Sequence, residues 1–307
     1  MVWLSVAVVV AGVVALAVVV WRGCLRRDAL ADGPARAVGL QWWDLPAGVA
    51  VMMAGGVVAG LVGGLVAVVW PGLAMDMEAG GPGEPGGPGV RVQAVWLLVV
   101  QVVSQGAVLG YLAWRVMMEP GRPGGLRRLG VWPRGVWVEW RDGLVGLAAA
   151  MPLVLGTLVL MGWVGELIGQ PAPSVGHELL LTMASTDDAV GLALLVVAVV
   201  VVAPFFEEVI FRGLVQTTLL SVLGPGRRWV IVGVSAAGFA MIHAGAATFG
   251  GEGAGGVPWH ALPGLAVLGV VLGWLYEKTG SLWPAVIVHA GFNGYNVAAV
   301  LTGVAGG

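Results

Sequence analysis

Charged residues are scarce in this sequence: Asp, Glu, Lys and Arg make up 10% of its 307 residues, against about 25% in a soluble domain. A water-soluble fold is excluded on that ground. The net charge of −2 and the absence of any basic run give no footprint for nucleic acid. A single cysteine, Cys24, excludes an intrachain disulfide. No basic segment precedes the first apolar run; Arg22, Arg26 and Arg27 follow it, so residues 1–21 read as a retained anchor rather than a cleaved leader. Arg22 also occupies a position where a lipoprotein box around Cys24 needs a small or apolar residue, and lipidation is not expected.

What is present is apolar sequence, 58% of the chain. Crossing a hydrocarbon core of roughly 30 Å takes about 20 apolar residues. Such runs lie near 2–21, 46–70, 92–116, 143–165, 190–222, 229–247, 262–276 and 284–303. The sequence therefore predicts an all-α polytopic membrane protein of about eight transmembrane helices. The 52 glycines do not oppose this, because small residues let membrane helices approach closely. Trp21, Trp70, Trp96, Trp114, Trp163, Trp229, Trp274 and Trp283 all fall at expected helix ends, where the amphipathic ring favours the headgroup layer.

Segment 71–90 is rich in Gly and Pro and has three acids and no base, which predicts an irregular exposed loop. Basic residues alternate between loops. Arg22, Arg26, Arg27 and Arg36 lie in the first loop, and Arg115, Arg122, Arg127, Arg128, Arg134 and Arg141 in or at the third. Arg227 and Arg228 lie in the fifth and Lys278 in the seventh, whereas 166–189 and 248–261 have none. By the positive-inside rule the odd loops are cytoplasmic, with both termini outside. No internal repeat of the kind found in many secondary transporters is evident. Residues 1–142 read as an N-terminal region of three helices with loops, and 143–307 as the functional region.

Glu207, Glu208 and Arg212 are embedded in long apolar sequence, where an ionisable group costs at least about 2.5–3.5 kcal/mol. Glu208 and Arg212 are spaced i, i+4 and read as a structural ion pair. Glu207, about 100° around the helix, is left without a partner in its own segment. A buried carboxyl of that kind can take and give a proton. His243 and His289 are also inside expected spans; a lone helical histidine is ordinarily a packing residue, but His289, Asn293 and Asn296 form a polar stripe and Phe239 stands i, i+4 from His243. His177 and His260 lie in loops and receive no role.

At 1.5 Å per residue, Glu207 lies roughly 24 Å from residue 223, His243 roughly 21 Å into its helix and His289 about 9 Å into its own. Protrusion of the ends near Arg227 by about two turns, made acceptable by Gln216, Thr217, Thr218 and Ser221, places all three roughly 10 Å beneath the cytoplasmic face. Pro204 is a candidate helix break just before the acids.

Glu-Glu-x-x-x-Arg at 207–212, Phe-x-x-x-His at 239–243 and His-x-x-x-Asn at 289–293, with YEKTGSLWPAVIVHAGFN leading into the last, resemble the CPBP family. That family contains the type II CAAX prenyl endopeptidases and the bacteriocin-processing and immunity proteins. The resemblance covers about 195–300; residues 1–142 carry no matching motif. It implies an intramembrane endopeptidase in which Glu207, aided by His243, activates water, His289 and Asn293 stabilise the oxyanion, and Glu208 with Arg212 supports the catalytic helix. It implies a membrane-associated or prenylated-type peptide or protein substrate, the lipid bilayer as a partner, and the plasma (inner) membrane with the site opening towards the cytoplasm. No cofactor is favoured, because no His-Glu-x-x-His spacing occurs; zinc held by Glu207, His243 and His289 is the alternative. A catalytically silent scaffold or immunity protein of the same fold and a proton-coupled transporter remain the other readings. The sequence specifies neither the substrate nor an oligomeric state.

Overall fold

The computed structural model describes residues 2–26, 28–34, 39–69, 89–119, 125–171, 178–249 and 257–303. Among them there is no strand. The helices are α1 (Val2–Trp21), α2 (Asp44–Val69), α3 (Val90–Met117), α4 (Val136–Leu167), α5 (Glu178–Ser185), α6 (Ala189–Leu223), α7 (Arg228–Phe249), α8 (Leu262–Thr279) and α9 (Trp283–Leu301). Short 3-10 turns occur at Gly125–Leu129, Pro225–Arg227 and Trp259–Ala261. Six helices, α1, α2, α3, α4, α6 and the α8 segment from Trp259, are long and apolar enough to cross a membrane by length and composition. α7 and α9 are not among those six, so the expected eight spans stand at six on this criterion. Trp70, His177 and all of the 71–90 loop except Gly89 and Val90 lie outside the described residues.

Small residues set the helix crossings, as expected where lipid supplies no hydrophobic contrast between helix and surroundings. α1 crosses α4 with Gly12 against Gly156; a Cβ on Gly12 would stand 2.8 Å from the Pro152 carbonyl oxygen. α8 crosses α7 with Gly269 against the Ala236 backbone, 2.9 Å from a built Cβ. α8 is the centre of the bundle, packed on α4, α7 and α9. α6 runs beside α3 and touches α7, α8 and α9. The main core joins Phe211, Phe239, Leu268, Leu272, Val288 and Phe292.

Three expectations are corrected. α4 starts at Val136 rather than near 143, because the charged first turn is satisfied: Glu139 accepts from the Arg134 N–H and guanidinium and from the Ser281 hydroxyl. Pro204 does not break α6. Two wide π-helical stretches, Ala198–Val202 and Val209–Gln216, flank it, and the wider turn removes the clash of the ring with the carbonyl four residues back. Gln216, Thr217 and Thr218 do not form a protruding polar end. All three are fully buried, Gln216 and Thr217 against α8.

The acids inside the protein are also more numerous than the sequence suggested. Asp44 and Glu277 are fully buried and Glu139 nearly so. Each meets an arginine: Asp44 with Arg115 at 2.6 Å, Glu139 with Arg134 at 2.9 Å, and Glu277 with Arg228. Trp96, expected at a helix end, lies in the second turn of α3 over Gly63.

Candidate active site

α6, α7 and α9 bring Glu207, His243 and His289 together. The Glu207 Oε2 atom is 3.7 Å from His243 Nε2 and 3.7 Å from His289 Nε2. That oxygen is buried and accepts no hydrogen bond. The separations exceed direct hydrogen-bond length, so each is a gap that a bridging water fits. Burial is graded: the His289 side chain is 3% exposed, Glu207 18% and His243 25%. The more open side of the site is therefore that of His243. Val257 donates its N–H to the His243 carbonyl at 2.9 Å.

The ring nitrogens are distinguished by their other partners. His243 Nδ1 lies 2.7 Å from the Phe239 carbonyl oxygen; a carbonyl only accepts, so Nδ1 carries the proton. His289 Nδ1 lies 3.0 Å from Glu208 Oε1, which also accepts from Arg212 Nη1 at 2.9 Å. An ionised carboxylate only accepts, so Nδ1 is again the donor. Each ring, with its proton on Nδ1, thus turns Nε2 towards the Glu207 carboxylate. A point where two imidazole Nε2 atoms and a carboxylate oxygen converge suits a water, a shared proton or a cation.

The helices are built to hold this geometry. Arg212 and Glu208 are both fully buried, and Arg212 Nη2 donates to the Gly269 carbonyl of α8 at 3.1 Å. The Phe239 ring lies beneath three of the groups, 5.2 Å from the Arg212 guanidinium carbon, 4.6 Å from the His243 ring and 5.4 Å from the His289 ring. Glu208 does more than the ion pair read from its i+4 spacing, since it also orients His289. The spacing shows contacts within one helix only, so the α9 partner was not legible.

Asn293 donates its side-chain N–H to the Val199 carbonyl at 2.8 Å. In the π-helical stretch the Ala203 N–H goes to Ala198, and Pro204, the π-register partner of Val199, has no N–H. The Val199 carbonyl is thereby left for Asn293. One amide hydrogen of Asn293 remains for another acceptor.

Glu207, His243 and His289 are also the residues that would hold zinc. Their 3.7 Å separations from Oε2 are wider than the roughly 3.3 Å between ligand atoms about 2.0–2.1 Å from a tetrahedral ion. Among the described residues no group of three or more His, Cys, Asp and Glu stands in a metal-holding arrangement. His177 is outside the described residues, and His260 Nε2 donates to the Gln170 carbonyl, 2.7 Å away.

Residues 189–295 match the family model of the type II CAAX prenyl endopeptidase Rce1-like proteins. The matched segment runs from the start of α6 into α9 and contains Glu207, Glu208, Arg212, His243, His289 and Asn293. No curated protein and no solved structure matches the chain.

Proposed function

We propose that this chain, whose residues 189–295 form an Rce1-like domain of the type II CAAX prenyl endopeptidase class, cleaves a peptide bond of a membrane-associated or prenylated-type substrate with water activated by Glu207. The observation that carries this reading is the position of Glu207 Oε2, buried, without a hydrogen bond, and 3.7 Å from each of two histidine Nε2 atoms.

A water in that gap donates one proton to Glu207 and its other hydrogen to His243 Nε2. Its oxygen then attacks the peptide carbonyl carbon as Glu207 takes the first proton. Relayed by a water across the 3.7 Å gap, that proton reaches His289 Nε2, which offers it as an N–H to the oxyanion, while Nδ1–H stays bonded to Glu208. The remaining Asn293 N–H is a second donor for the same oxygen. Collapse of the tetrahedral intermediate returns the proton to the leaving amine, and water, amide, acid and amine balance. The partly exposed His243 is the side from which a substrate held in the bilayer would reach the site. With the basic loops read as cytoplasmic by the positive-inside rule, the orientation proposed is a plasma (inner) membrane with the site opening towards the cytoplasm.

Zinc held by Glu207, His243 and His289 is a second reading, favoured by the same convergence of two imidazole lone pairs and a carboxylate. When bound, the ion would polarise the attacking water.

The test is a library of membrane-tethered peptides, including a farnesylated CAAX-type member, screened in detergent against wild type and Glu207→Gln. Cleavage by wild type and none by the equally folded variant is expected. Cleavage by both removes Glu207 from the chemistry, and cleavage by neither favours a silent scaffold or immunity protein. Proton-coupled uptake by reconstituted vesicles that is lost in Glu207→Gln would favour the transporter instead.

A further inference from the structure

α6 and α8 are joined by a polar ladder in which both helices advance by four residues per rung. Arg212 Nη2 donates to the Gly269 carbonyl at 3.1 Å, and Gln216 Nε2 donates to the Gly273 carbonyl at 2.9 Å. Gln216 Nε2 also donates to Glu277 Oε1 at 2.7 Å. Alongside, Thr217 Oγ1 meets the Tyr276 hydroxyl at 3.0 Å, and that hydroxyl donates to the Leu129 carbonyl at 3.1 Å. Gln216, Thr217, Tyr276 and Glu277 are all fully buried.

The far end of the ladder reaches the start of α7 and the loop after α1. Glu277 Oε2 pairs with Arg228 at the start of α7, and Arg228 Nη2 donates to the Gly33 and Pro34 carbonyls at 3.0 and 3.1 Å. Next to it, Trp229 Nε1 donates to the Arg26 carbonyl at 2.9 Å. The ladder therefore links the loop after α1 to the helix that carries Glu207.

A rung of this kind fixes axial register. An apolar contact between α6 and α8 tolerates a slide, because neighbouring apolar side chains offer similar surfaces; a buried amide that slides by one residue loses its acceptors. Glu207 is nine residues before Gln216 on the same helix, so a slide or rotation at Gln216 moves Oε2 relative to His243 and His289. Displacements of about 1 Å at a reacting group can cost on the order of 10²-fold in rate.

We propose that Gln216 and Glu277 are positioning residues: they set the register of α6 so that Glu207 sits midway between the two histidines. This rests on the reading of Glu207 as the base. Gly273 provides the discriminating variant. A Cβ there would stand 2.9 Å from Gln216 Oε1, enough to push the amide off its carbonyl, whereas alanine for glycine within a helix favours the helix itself.

The experiment measures kcat, KM and melting temperature of Gln216→Leu and Gly273→Ala on the peptide that wild type cuts and Glu207→Gln does not. Both variants are expected to lose about tenfold or more in kcat with KM within about twofold, a loss larger than any fall in melting temperature or folded fraction accounts for. Hydrogen exchange over 203–212, read without substrate, should quicken in both. Unchanged kcat in both variants, or kcat falling only in step with the folded fraction, overturns the proposal. If wild type cuts no peptide, or Glu207→Gln cuts as well, the functional reading fails and exchange alone decides. Quicker exchange over 203–212 keeps the ladder as the element that sets α6, and unchanged exchange removes it.

Discussion

Asn293 serves the backbone of α6 with one amide hydrogen and has the other free, so its two roles are separable by substitution. Asn293→Ala leaves the Val199 carbonyl without a donor, a stability loss of about 1–3 kcal/mol for a buried unpaired group. It also removes an oxyanion donor, lowering kcat on the order of 10²–10³-fold. Adding Pro204→Ala restores a backbone N–H in reach of Val199, so the double variant should regain melting temperature but not rate. Recovery of both would mean that Asn293 acts only through α6. For Arg212, fully buried against Glu208, replacement by Ala should cost roughly 3–5 kcal/mol in detergent unfolding. Replacing Glu208 and Arg212 together with Leu and Met should recover much of that stability yet not the turnover, because His289 then has no acceptor for Nδ1–H. Equal stability of wild type and Arg212→Ala would rule out the pair as a structural element. Most of the residues were legible from spacing: 207, 208, 212, 239, 243 and 289 meet in one place, while Asn293 is held by the Val199 carbonyl of α6. The contacts between helices, Glu208 with His289 and Asn293 with Val199, were not, since no periodicity along one helix reports its neighbour.

α6 shows the same boundary between the legible and the hidden at the scale of an element. Its extent is read closely from hydropathy, 190–222 against the observed Ala189–Leu223. Its winding is not, because a π-helical stretch has no hydrophobic period of its own; Pro204 marks the place but suggests a break. The polar run at 216–218 misleads for a related reason. Polarity at a helix end fits either water or a facing helix, and only the four-residue steps of Arg212 and Gln216 against Gly269, Gly273 and Glu277 point to the second. At its other end α6 is capped by Asp188, which accepts from the Val190 N–H at 3.1 Å and from Arg91 Nε of α3 at 2.7 and 2.8 Å. The hydrogen bond from Arg91 is the chief cause that holds the Asp188 carboxyl below 3.8. A lowered value means that this contribution is present in full above 3.8 and lost as pH falls through the depressed value. Hydrogen exchange over 189–195 should therefore quicken as wild type is acidified below that point, whereas Asp188→Asn, which cannot ionise, should show no such acid-dependent step. The same acid response in both proteins would place the titrating group elsewhere.

For the whole molecule the open question is which way the bundle faces, and the N-terminal half bears on it. Residues 1–142 match no motif, yet they are joined to the catalytic half at one end of the bundle: Gly33 and Pro34 to Arg228, Leu129 to Tyr276, and the Gly130 carbonyl to the Leu282 N–H at 3.0 Å. Gly130 adopts φ 72° and Gly280, against it, φ 66°, so two left-handed turns meet where a side chain on Gly130 would strike the Gly280 carbonyl. That end carries Arg22, Arg26, Arg127, Arg128, Arg134, Arg141, Arg227 and Lys278, and the opposite end carries no base in 166–189. The positive-inside rule predicts that the joined end is cytoplasmic. Two exposed positions test this in a Cys24→Ser background: Trp132, 59% exposed beside the joined loops, and Ile168, 56% exposed at the far end of α4. In intact cells a membrane-impermeant maleimide should label Ile168→Cys and leave Trp132→Cys unlabelled until the membrane is opened. Since the 32 residues of α4 between these positions extend about 48 Å at 1.5 Å per residue, both cannot lie on one side if α4 spans. Labelling of Trp132→Cys alone would turn the molecule over and put the basic loops outside the cell, against the positive-inside rule.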